Sequence, residues 1–364
     1  MIAFNYPDRW YSEIKDRLQD RLDKVYTKDM CFEGPECWTA EKVLREKFNR
    51  KHAFLVTSGT AAIQLMLLAS GVEAYDRIVC INYSCPATVM PIKVMGAVPV
   101  FCDIDRSGQQ SLDEDTLIRV TNSKPKAILA TGLYGDCYDH DAIKDLGLPI
   151  LNDSAQSYGA KYKGVESLTL GDMSIISFSS NKPCPIFGTY GAVLCDDNEL
   201  ANKIRVMRRT GYGKGEPITQ IGINAQPQED KASQIIVSLS RFETWQTRRQ
   251  AIHTYYDKEF EKAGVSKRPS PDYSETNYHK YCIFVSNKQD FASTMGSKGI
   301  ECQKHYPHNF AHTDVIQGRT WFGPDYKWTA LYTKHAVSIP ANPWLTDAEV
   351  ETVAEQIIKN YTFK

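Results

Sequence analysis

Between residues 53 and 197 the chain alternates short, nearly unbroken apolar runs with segments of helical period, and this alternation limits the fold more than any other feature. The runs are AFLVT (53–57), RIVCI (77–81), VPVFCDI (98–104), KAILATGLY (126–134), LPILNDSA (148–155), MSIISFSS (173–180) and GAVLCDD (191–197). Between the first five lie AAIQLMLLAS, PATVMPIKVMG, LDEDTLIRVTN and HDAIKDLG, which read as helices. A strand that is apolar on both faces has to be covered on both faces, so the pattern predicts a mostly parallel sheet between two helical layers, an α/β three-layer domain.

The flanks complete the organisation. Ile14, Leu18, Leu22 and Val25, and then Val43, Leu44 and Phe48, predict two opening helices. Residues 198–209 read as a helix and GYGKGEPITQIGINAQPQ as a loop. The stretch from 230 to 264 has one long amphipathic pattern. Beyond it YHKYCIFVSN, GIECQKHY and AVSIPAN read as strands, and LTDAEVETVAEQIIKNY closes with a helix carrying Val350, Val353, Ile357 and Ile358. The expected division is a large unit over 1–248, including the opening helices, and a smaller α+β unit over 249–364.

Charge excludes some partners. With 43 basic and 44 acidic side chains among 364 residues the net charge is -1, which offers no whole-chain attraction to nucleic acid or an acidic membrane. No window reaches the ~18 consecutive apolar residues of a spanning helix, and the first residues lack the apolar core of an export signal. The ten cysteines form no C-x-x-C pair, and Cys80, Cys102, Cys195 and Cys282 sit in apolar runs as small hydrophobes. A soluble, reduced, cytoplasmic protein is the expectation.

Three strand ends carry chemistry. In TSGTAA (57–62) a glycine lets the backbone approach a ligand, and the helix that follows offers free N–H groups to a phosphate; an ordinary Ser or Thr cap is the plainer reading. Asp153 ends the run LPILND at the close of an apolar strand, so it needs a cationic or hydrogen-bonding partner, or caps the next helix. Lys182, in SFSSNK, is either a solvated lysine or, where desolvated, an amine nucleophile able to form a Schiff base. Together a phosphate cradle, a buried carboxylate and a lysine are the parts that hold pyridoxal phosphate.

The segments TSGTAAIQLMLLASGV, GAVPVFCDID, LYGDCYDHDAI, NDSAQSYGAKYKG and GDMSIISFSSNK, with HYP (305–307) and SIPANPWLTDAEV, resemble the DegT/StrS-type sugar-nucleotide aminotransferases. The resemblance implies an aspartate aminotransferase-like fold with pyridoxal phosphate, converted to pyridoxamine phosphate in the half-reaction. By motif position Lys182 resembles the Schiff-base lysine, Ser177 a phosphate ligand, and Gly59 with Thr60 the backbone cradle. Asp153 matches the partner of the pyridine nitrogen, Ala155 lies beneath the ring and Gln156 near its hydroxyl. Asn224 resembles the asparagine that a neighbouring subunit sends to the phosphate, which implies a homodimer with shared active sites.

The sequence also departs from that pattern. Cys85 stands where the family usually stacks an aromatic ring on the cofactor, with Tyr83 the nearest replacement. PCPIFGTYG keeps Gly188 and Gly191 but puts Thr189 and Tyr190 between them, and Gln226 stands in place of a frequent arginine. His305, His308 and His312 lie close together; a structural or substrate-contact role is expected and a metal is not. Arg208, Arg209 and Lys214 read as a solvated helix end or, alternatively, a nucleotide-diphosphate contact. The expected activity is transfer of an amino group, with glutamate as donor, to a 4-keto or 3-keto-6-deoxyhexose nucleotide. The rivals are a cofactor-dependent sugar dehydratase, whose relatives replace the lysine by histidine, and a binding protein of the same fold without turnover.

Overall fold

The computed structural model describes residues 1–27, 31–112, 114–213, 217–314, 316 and 326–363. Seven strands form the central sheet: β1 (His52–Val56), β2 (Arg77–Ile81), β3 (Val98–Cys102), β4 (Ala127–Thr131), β5 (Ile150–Asp153), β6 (Met173–Ser177) and β7 (Gly191–Cys195). Their order is β1-β7-β6-β5-β4-β2-β3. Strands β2 to β6 pair in parallel, whereas β7 is antiparallel to both β6 and β1. The sheet is therefore mostly parallel, and four of its strands are buried throughout.

The helices are α1 (Pro7–Tyr26), α2 (Pro35–Lys47), α3 (Gly59–Ala69), α4 (Pro86–Val94), α5 (Glu114–Ser123), α6 (Asn198–Met207), α7 (Glu229–Leu239), α8 (Phe242–Ala263), α9 (Lys288–Ser297), α10 (Lys327–His335) and α11 (Asp347–Asn360). One face of the sheet packs on α3, α4 and α6 through Ile63, Met66, Ile92 and Ile204. The other packs on α1, α2 and α7 through Trp10, Ile14, Leu44 and Ile235. A separate core joins α8, α9 and α11 to the antiparallel pair β8 (Tyr281–Phe284) and β9 (Ala336–Ile339). No described helix is long and apolar enough to cross a membrane.

Three expectations are corrected. Residues 140–147 form turns instead of a helix: Ile143 and Lys144 both donate to the His140 carbonyl and Leu146 to that of Ile143, so no run of i to i−4 bonds is sustained. The long amphipathic pattern is two helices, α7 and α8, broken at Ser240 and Arg241. GIECQKHY pairs only through isolated bridges, Ile300 to Ile2 and Gln303 to Ser338. Residue 248 lies within α8, whose Phe242 and Trp245 pack in the sheet's helical layer and whose Ile252, Tyr256 and Phe260 pack in the separate core.

One long-range contact fixes the helical layer. Gly34 gives α2 no capping side chain, yet the buried Glu229 carboxylate on α7 accepts from the N–H groups of Gly34 (2.9 Å), Cys37 (3.0 Å) and Glu36 (3.1 Å). A Cβ at Gly34 would lie 2.8 Å from that carboxylate, so any larger residue there would push the Glu229 side chain out of its capping position. Replacing Glu229→Ala strands three donors in a dry interior and should lower the unfolding free energy by about 3 kcal/mol in urea titration, with Glu229→Gln losing less.

Candidate active site

The strand order brings distant segments to one edge of the sheet. Val56 at the end of β1 pairs with Gly191, and Gly191 pairs with Ser177 at the end of β6. The start of α3 therefore sits beside Ser177, although the two are far apart in sequence. Thr131, at the end of β4, is in register with Asp153, which is in register with Ile175. Above these ends lies a cavity of about 210 Å³ whose far wall is His305 and Tyr306, outside the sheet.

At the start of α3, Ser58 accepts a hydrogen bond from the Ala61 N–H at 3.0 Å. The N–H groups of Gly59 and Thr60 have no partner among the described residues and line the cavity with Ser177. A Cβ on Gly59 would meet the Ser177 Cβ at 3.0 Å and its Oγ at 3.2 Å. A helix N-terminus with free donors, a serine hydroxyl and no intervening side chain is suited to a phosphate group.

Asp153 is buried at the end of β5. Its Oδ2 accepts from Thr88 Oγ1 at 2.9 Å and its Oδ1 from the Ala155 N–H at 3.2 Å. Burial pushes its pKa up, opposed by the Lys182 charge and these two donors. Lys182, held in a turn by its N–H to the Ser179 carbonyl at 2.9 Å, has its pKa pushed down by burial, opposed by Cys85 and Asp153. The partners foreseen for Asp153 are thus a cation and two hydrogen bonds.

The cavity wall contains Gly59, Thr60, Cys85, Asp153, Ala155, Gln156, Ser177 and Lys182, eight of the nine residues expected from the sequence. Asn224 is elsewhere: it is exposed and bridged to Arg209. Cys85 is half-buried at the start of α4. Tyr83 is no replacement ring for the cavity, because its side chain is fully buried and its hydroxyl bonds to Tyr134, the His305 carbonyl and the Tyr306 N–H. The aromatic phenol in the wall is Tyr306, whose Oη accepts from Gln156 Nε2 at 2.7 Å, while Gln156 Oε1 accepts from the Tyr134 N–H.

Sequence reasoning missed Thr88 and Thr131. Thr131 is buried in the cavity wall with its Oγ1 lacking any partner, a polar atom that a ligand would satisfy. Arg208, read as a solvated end, is buried and ion-paired with Glu41 (2.6 Å) and Glu33 (3.3 Å), which leaves it no freedom for a nucleotide; Lys214 lies outside the described residues. His305 lines the cavity with Nδ1 3.0 Å from Ser338 Oγ, and His308 is exposed. The donor set fits pyridoxal phosphate: an anion cradle at one end, a carboxylate deep in the middle, an orphaned hydroxyl, and a desolvated amine.

The DegT/DnrJ/EryC1/StrS aminotransferase family model matches residues 12–358. The UDP-2-acetamido-2-deoxy-3-oxo-D-glucuronate aminotransferase of Pseudomonas aeruginosa is 27% identical over 357 residues, 97% of this chain and 98% of that protein. A pleiotropic regulatory protein of Geobacillus stearothermophilus is 27% identical over 358 residues, 96% of each chain. The crystal structure of a DegT DnrJ EryC1 StrS aminotransferase from Brucella abortus superposes with a TM-score of 0.93 at 23% identity, covering 99% of this chain and 100% of that one.

The cradle has a direct test. Gly59→Ala should weaken binding of pyridoxal phosphate at least tenfold in equilibrium dialysis, because the new methyl group displaces Ser177, while thermal melting of the cofactor-free protein stays within a few degrees of the parent.

Proposed function

Because the chain belongs to the DegT/DnrJ/EryC1/StrS aminotransferase family and is a pyridoxal-phosphate-dependent aminotransferase, we propose that it moves an amino group from glutamate to the keto carbon of a nucleotide-linked hexose. The observation that carries this reading is the convergence of Lys182, Asp153 and the α3 cradle on one cavity. Relatives named for 3-keto and for 4-amino sugar nucleotides, at 27% and 28% identity, support a sugar-nucleotide acceptor and leave both positions in the proposal.

When bound, pyridoxal phosphate supplies an electron sink for the carbon that loses its proton. The chain's residues do the rest. Gly59, Thr60 and Ser177 would hold the phosphate, and Asp153, on the same cavity wall, would face the ring nitrogen. Asp153, ionised once a cation faces it, keeps a proton on the ring nitrogen; Thr88 and the Ala155 N–H orient it. Lys182 is desolvated, so more of its amine is unprotonated at neutral pH than in an exposed lysine. It takes the proton from the substrate carbon as base and returns one as acid. Gln156 and Tyr306, joined by their hydrogen bond, wall the same cavity, and Ala155 would lie against the cofactor ring.

Asn224 is exposed on the loop that also exposes Ile218 and Ile221. We assign that surface to a second copy of the chain, whose cavity Asn224 would complete. The likeness to a regulatory protein favours one second reading, a cofactor-binding protein without turnover. Retention of Lys182 and Asp153 counts against it and against a dehydratase.

Glutamate added to the cofactor-loaded protein should convert the bound aldehyde form to pyridoxamine phosphate, followed by absorbance. No change with any amino donor would leave the binding protein as the reading. Borohydride reduction should fix the cofactor on the peptide containing Lys182, and Lys182→Ala should abolish both signals. Asp153→Asn should slow the glutamate half-reaction by 100-fold or more while borohydride still labels Lys182.

A further inference from the structure

Four arginines and one lysine are buried among the described residues: Arg50, Arg208, Arg249, Arg268 and Lys280. Three have a carboxylate within ion-pair distance, Arg50 with Asp196, Arg208 with Glu41 and Arg268 with Asp136. Arg249 and Lys280 have none among the described residues. Arg249 is 3% exposed; its Nη2 donates to the Pro183 carbonyl at 2.6 Å, and its Nη1 is buried with no hydrogen-bond partner. Lys280 is 8% exposed, with Nζ 4.4 Å from the centroid of the Phe4 ring. His279, also buried, adds a third nitrogen-bearing side chain.

These three side chains line one small cavity together with Asn181 and Lys182. Asn181 and Lys182 also line the active-site cavity, so the two spaces share a wall. The small cavity has about 20 Å³, room for one oxygen atom. Burying a cation without a counter-charge is costly, and an apolar side chain of similar size would fill the same space at less cost. Arg249 and Lys280, kept beside the reactive amine with no carboxylate of their own, are therefore matched to an anion that arrives from outside, and His279, held neutral by burial, adds a ring nitrogen beside them.

We propose that Lys280, Arg249 and His279 form a carboxylate-binding subsite behind Lys182, in which one carboxylate oxygen of a ligand enters the small cavity while the rest of the ligand lies along Lys182. The inference deepens the aminotransferase reading and rests on it for the identity of the ligand. Two sources have this chemistry: the carboxylate of the amino donor and that of an acidic keto sugar. Burial, with Lys182 and Arg249 nearby, lowers the proton affinity of Lys280, and a bound carboxylate supplies the missing counter-charge.

The test uses the cofactor-loaded protein and two probes that cannot turn over: glutarate, a dicarboxylate without an amine, and glucuronate compared with glucose. In titration calorimetry, Lys280→Met should weaken binding of at least one acidic probe tenfold or more, and Lys280→Arg should recover part of it. Thermal melting of Lys280→Met should equal or exceed that of the parent, since an unpaired buried amine has been removed; Lys280→Gln serves if the methionine variant does not fold. Dependence on glutarate assigns the subsite to the donor, and dependence on glucuronate alone assigns it to the sugar. The proposal is overturned if the parent binds neither acid, or if parent and variants bind both equally. Because the probes need no turnover, that failure is separate from a failure of glutamate to convert the cofactor.

Discussion

A buried carboxylate and a half-buried amine share one cavity, and neither holds its charge easily there. Burial raises the proton affinity of Asp153 and lowers that of Lys182, while each partly restores the other's charge. That balance is set by where β5 ends and where the turn at Ser179 begins. Around them Thr88 orients Asp153, and the start of α3 offers free N–H groups to an anion in the same cavity. The family's chemistry needs a carboxylate that is charged only opposite a cation and an amine that is neutral when a proton must be taken; burial supplies both conditions.

The sheet was legible because strands buried on both faces are mostly unbroken apolar runs with polar residues near their ends, and β2 occupies the same five residues as the run RIVCI. The break between α7 and α8 was not, since neither glycine nor proline marks Ser240 and Arg241 and the amphipathic phase runs across it. At the site, motif residues such as Gly59, Asp153, Ser177 and Lys182 carried their own signal. Thr88 and Thr131 carried none, because a threonine in a helix or strand is ordinary until the fold sets it against a carboxylate or a cavity. Tyr83 misled for the same reason: proximity to Cys85 in sequence says nothing of where a ring points, and the ring that faces the cavity belongs to Tyr306.

Lys280 illustrates how far local sequence can be trusted. Within YHKYCIF a lysine reads as the polar face of a strand, yet it is buried beside Arg249, which α8 brings from thirty-one positions earlier in the chain. The contrast with Arg50, Arg208 and Arg268, each matched by an acidic side chain, is visible only when all buried cations are compared.

The antiparallel placement of β7 between β1 and β6 also bears on synthesis. Strand β1 emerges early but, among the described residues, has β7 as its only neighbour in the sheet, and the Glu229 cap on α2 comes later still. The opening segment must therefore wait on the ribosome for much of the chain before it can be locked in. Until then its apolar surface is a natural client for chaperones, so truncated nascent chains ending before β7 are the ones most exposed to aggregation.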